Sequence, residues 1–82
     1  MAMLTTEERA QRRARGIFND LGRTGLRIVA ECDRANADAR YWDGDVETAL
    51  VLIERALACE ALLREAVEGR AVRPPAPGRT TA

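Results

Sequence analysis

The side chains in this sequence that could do chemistry are arginine, glutamate, aspartate and two cysteines, because histidine, serine and lysine are all absent. Those three supply most of the bases, hydroxyl nucleophiles and Schiff-base amines of enzymes, so catalysis is the least expected role. All thirteen basic residues are arginine, whose planar guanidinium binds carboxylates and phosphates through a bidentate fork. Arg9, Arg12 and Arg13 share a helical face, with Arg15 at its edge, and these four form the candidate partner-binding site. Thirteen acids bring the net charge to zero, but the balance is uneven along the chain. Residues 1–30 are basic, residues 31–69 are acidic, and the segment from Arg70 onward is basic again.

Glu54, Glu60 and Glu65 raise the question of metal or acid/base work. Bundle di-metal sites combine inward glutamates with a Glu-x-x-His motif, and no histidine exists here. These acids fall mainly opposite the apolar rows of their segment, which makes them solvated surface. Cys32 and Cys59 lie on apolar rows, where a thiol packs as a small hydrophobe, and two distant cysteines without histidine do not make a zinc site. The expectation is no cofactor, no metal and no disulfide.

The elements that must position these residues are helical. Thr5-Thr6-Glu7-Glu8 has the spacing of a capping box and predicts a helix start. From Ala14 an apolar or small residue returns at alternating steps of four and three: Ala14, Phe18, Leu21, Gly25, Ile28, Cys32, Ala35, Ala39, Trp42. That seam favours one long helix over about 5–41. Gly16, Gly22 and Gly25 stand against it at about 1 kcal/mol each relative to alanine, so a break near Gly22–Thr24 is the alternative. In the unbroken case, the turns bearing Arg9 to Arg15 protrude beyond the second helix as an exposed cationic end.

Asp43-Gly44-Asp45 reads as a turn, with Asp45 as the N-cap of a second helix over about 45–68 that Gly69 stops. This helix has two apolar rows: Ala49, Leu52, Ala56, Cys59, Leu63, Ala66 and Val46, Leu50, Ile53, Leu57. Two rows need two neighbours, which a lone hairpin cannot supply. A chain this small rarely builds a core worth more than about 3–5 kcal/mol, so a partner subunit is expected. The reading is an all-α helical hairpin that dimerises into a four-helix bundle, or folds its N-terminal segment back as a third helix. The core and dimer seam runs through Phe18, Leu21, Ile28, Cys32 and Trp42, then Leu52, Cys59 and Leu63.

Residues 1–69 form a single helical domain, and 70–82 read as a flexible, proline- and arginine-rich tail. Pro74-x-x-Pro77-x-Arg79 has the shape of a ligand for aromatic grooves. The sequence has no apolar stretch of about 20 residues and no signal-peptide core, so a soluble, cytoplasmic protein without membrane contact is expected.

Trp42-x-Gly44 at the turn resembles the Trp-x-Gly hairpin substrates of type VII secretion. Those also carry a C-terminal Tyr-x-x-x-Asp/Glu signal, whereas this chain has no tyrosine after Tyr41, so no function is carried over. The leading expectation is a non-catalytic interaction protein that binds and modulates or inhibits a larger protein, as regulatory subunits, antitoxins and phage-encoded inhibitors do. The alternative is a nucleic-acid-associated protein using the N-terminal arginine face. A weaker one is a secreted helical-hairpin substrate or assembly subunit.

Overall fold

The computed structural model describes residues 3–72, and among them only helix and connecting turns occur. The expected tail, apart from residues 70–72, and its Pro74-x-x-Pro77-x-Arg79 run lie outside the described residues. Helix α1 spans Thr6–Trp42 and α2 spans Val46–Val67. The capping box forms: the Glu8 amide donates to Thr5 Oγ1 at 3.1 Å, and the Thr5 amide donates to Glu8 Oε1 at 3.2 Å. At the turn, Gly44 takes φ 87°, a left-handed value that favours glycine. The Asp45 carboxylate accepts the Thr48 amide at 3.2 Å, and the Thr48 side chain together with that amide pulls its pKa below the usual carboxylate range.

The single long helix is corrected at Gly22. Its φ of 70° and ψ of −164° are non-helical and lie in a region essentially reserved for glycine. The chain folds back there. Arg13 and Asp33, 20 residues apart, form an ion pair at 2.8 Å, whereas an unbroken helix would hold them about 30 Å apart. α1 is therefore two arms, 6–21 and 23–42, and with α2 they make three helical arms around one core. The cationic end expected beyond the second helix does not exist, because the first arm lies against α2.

The break also resets the helical phase. Ala14 and Phe18 are buried as the seam predicts, but beyond the break Leu21, Ile28, Cys32 and Trp42 are exposed in the single chain. The inward positions are one residue on: Gly22, Leu26, Val29 and Asp33. Ala14 and Phe18 of the first arm meet Leu26 and Ala30 of the second and Cys59 and Leu62 of α2 in one cluster. Around it the fully buried positions are mostly alanine: Ala10, Ala37, Ala49 and Ala56. Small side chains let the arms approach closely but contribute little apolar area.

Candidate functional site

The fold divides the four arginines expected to act together. Arg9 and Arg12 remain exposed. Arg13 turns inward and holds Asp33 with both guanidinium nitrogens, at 2.8 and 3.2 Å, which satisfies the one charged residue in the core. Arg15 faces α2 across a groove. The pair at Arg13 ties the two arms of α1 together, and no buried polar side-chain atom lacks a partner among the described residues.

Of the other seam residues, Phe18 and Cys59 are buried, and Leu52 and Leu63 are half-buried. Burial pushes the Cys59 thiol pKa up, against the opposing pull of the Arg13 charge. Cys32 is the exception to the expected burial of both thiols: it is exposed, because the phase reset turns its side of the second arm to solvent. Among the described residues no cluster of three or more metal-ligating side chains occurs. Glu60 is tied to Arg34 through two contacts at 2.5 and 2.7 Å, which hold its carboxyl below, and the guanidinium above, their ordinary pKa values. Glu54 is exposed, while Glu60 and Glu65 are partly covered.

What the chain offers instead is apolar surface. The first row of α2 packs inward: Ala49, Ala56 and Cys59 are buried, and Leu52, Leu63 and Ala66 are partly so. The second row, Val46, Leu50, Ile53 and Leu57, is exposed, with Leu50 at 59 %. At about 3.6 residues per turn these four lie on the side of α2 opposite Cys59 and Leu62. Their stripe runs from the Asp45 cap to Leu57, where it enters a groove of about 500 Å³ between α2 and the first arm of α1. Ala14, Ala58, Ala61 and Leu62 continue the apolar lining there. Glu7, Glu54 and Glu65 rim the groove, with Arg15 and Arg64 between them. Glu47, on the same side of α2 as Glu54, extends the acidic edge along the stripe.

A second exposed row lies on the outer side of α1's second arm: Ile28, Cys32, Ala35, Ala39 and Trp42. Ile28 is 50 % exposed and Trp42 82 %, its indole meeting only the edge of Tyr41, with ring centroids 6.0 Å apart. Leu21 extends the row at the break: a β-carbon at Gly25 would sit 2.2 Å from the Leu21 β-carbon, so the leucine lies directly over the glycine. The periodicity of both rows was visible in the sequence, but which side of α1's second arm faces outward depends on the phase at Gly22. No described helix is long and apolar enough to cross a membrane. Comparison with protein-family models, curated proteins and solved structures gives no match.

Proposed function

We propose that this chain is a non-catalytic, self-associating interaction protein that binds and modulates a larger protein through the outer stripe of α2. One observation carries the reading: the large apolar side chains Val46, Leu50, Ile53 and Leu57 line up on solvent while the chain's own core is built largely of alanine. Contiguous exposed apolar surface with a polar rim marks an interaction site. The occupant that fits is an amphipathic helix laid along the stripe and into the groove, with basic residues on the edge that meets Glu47 and Glu54. The absence of histidine, serine and lysine supports the non-catalytic part. Because α1 folds back, two copies bring together six helical arms rather than the four of a simple hairpin pair. The nucleic-acid alternative loses support from the geometry, since Arg13 is committed to Asp33 and Arg15 faces the glutamate-rimmed groove.

Affinity capture of the native chain from its host, with nuclease treatment and mass spectrometry, tests this reading. A protein retained after nuclease by the wild type and lost with Leu50→Glu and Leu57→Glu supports it. Recovery unaffected by those substitutions, or recovery of nucleic acid alone, overturns it.

A further inference from the structure

The charges that border the α2 stripe change sign along its length. Glu47 and Glu54 stand on one edge, seven residues and about 10.5 Å apart. Neither is in an ion pair among the described residues, and no arginine stands three or four positions from either. Glu60, on the other edge, is by contrast held by Arg34, and Arg55 lies on the opposite side of the helix.

The first arm of α1 adds to this polarity. It runs in the same direction as α2, because each runs opposite to the second arm, as the Arg13–Asp33 and Arg34–Glu60 pairs require. Glu7 therefore reaches the groove toward Glu54, and Arg15, about two turns further on, reaches it toward Arg64. Arg64 itself is in line with the stripe, about two turns beyond Leu57. The lining at that far end is Arg15 and Arg64 against Glu65, an excess of positive charge, and the neighbouring Arg34 and Glu60 cancel. At the near end Glu7, Glu47 and Glu54 have no cation among them, and at the turn Asp43 and Asp45 are opposed only by Arg40. The border is acidic toward Asp45 and basic at the far end.

A helix laid from Val46 to Arg64 covers about 27 Å, or about 19 residues. Complementarity asks it to be basic beside Glu47 and Glu54 and acidic beside Arg15 and Arg64. Its own dipole favours acids in its first turn and bases in its last. A helix parallel to α2 would need the reverse, bases first and acids last, so only the antiparallel direction satisfies both. We infer that the site takes an amphipathic helix antiparallel to α2, its basic C-terminal half over Glu47 and Glu54 and its acidic N-terminal turn at Arg15 and Arg64. This rests on the α2 stripe being the partner site, and it adds the partner's direction and charge order.

The probes are two synthetic helical peptides of about 19 residues, acetylated and amidated, with the same apolar row spaced to match Val46, Leu50, Ile53 and Leu57. One is acidic in its first turn and carries arginines in its C-terminal half; the other has these charges exchanged. Titration calorimetry against the full chain reads affinity. Energy transfer from Trp42, the chain's one tryptophan and close to the Asp45 end of the stripe, reads direction. The first peptide should bind at least about tenfold tighter than the second, and a dansyl group at its C-terminus should quench Trp42 more than one at its N-terminus. Glu47→Arg with Glu54→Arg should weaken the first peptide at least about tenfold and strengthen the second, with helical circular dichroism unchanged because both positions are exposed. Leu50→Glu should abolish binding of both. Equal affinity for the two peptides, lost in Leu50→Glu, overturns the charge order and leaves the stripe standing as the partner site. Stronger transfer to the N-terminal dansyl overturns the direction. Binding that survives Leu50→Glu overturns the stripe reading together with this inference, and no binding of either peptide overturns this inference while leaving the stripe to the capture experiment above.

Discussion

The inner and outer faces of α2 are both apolar, yet they carry different kinds of side chain. The inner face has Ala49, Ala56, Cys59 and Leu62, so its neighbours come close and bury little area per residue. The outer face has Val46, Leu50, Ile53 and Leu57, with more area per residue and nothing to cover it. The second arm of α1 repeats the pattern, with Leu26, Ala30 and Ala37 inside and Ile28 and Trp42 outside. The proposed association would cover this outer bulk, as the core does for the inner face.

The contrast is open to attack most directly by placing a carboxylate on each face. Leu26→Asp should unfold the chain, because an unpaired buried carboxylate costs several kcal/mol, comparable to the whole stability of a fold this size. Leu50→Asp should leave the melting of the isolated chain within about 0.5 kcal/mol of wild type, as exposed substitutions generally do. Equal melting of the two variants by circular dichroism would erase the inner–outer distinction.

Among the arginines the same contrast is smaller. Arg13→Ala strands the buried Asp33 carboxylate and should cost about 2–3 kcal/mol, reduced from the fully buried case because the arginine side chain is one-third exposed. Arg9→Ala, on the open side of the same arm, should change stability by less than about 0.5 kcal/mol. Denaturant titration of both variants separates them.

The thiols sharpen the comparison kinetically. Cys32 should react with an aromatic disulfide reagent at dilution, while Cys59 should wait for unfolding. The Cys59 pKa is raised in the folded state, so the stability that its neutral thiol contributes is present below the unfolded-state value and lost as pH rises through the folded one. Wild type should therefore lose stability relative to Cys59→Ala in alkali, as read by melting against pH.

The smallest effect belongs to Arg34–Glu60, a surface-side pair that solvent screens. Glu60's lowered pKa makes its contribution present above the unfolded-state carboxylate value and lost as pH falls through the folded one. The melting difference between wild type and Glu60→Gln should close in acid.

Much of the fold was legible locally. The Thr5–Glu8 capping box, the Asp45 cap and both rows of α2 follow from residue type and spacing, because the contacts that make them lie within a few residues. The break was not decided locally. Gly16, Gly22 and Gly25 are alike in sequence, and the break at Gly22 is held by a non-local contact, Arg13 finding Asp33 across the bend. A one-residue phase reset there exchanged inside and outside for the rest of α1. Asp33 in the core carried no sequence signal at all, since its partner lies a whole arm away.

The reversal at Gly22 gives the chain a vulnerability that is genetic in kind. Any missense change there adds a β-carbon to a backbone that only glycine adopts readily, and the geometry that relieves the strain, α1 straightened into a continuous rod about 55 Å long, gives up the core that its two arms share. In that rod the row from Ala14 through Phe18, Leu21, Gly25 and Ile28 to Trp42 becomes one unbroken stripe, and Asp33 loses Arg13 from its own chain. The spacing of the sequence suits one long helix, and the glycine at position 22 permits the reversal that the Arg13–Asp33 pair then holds.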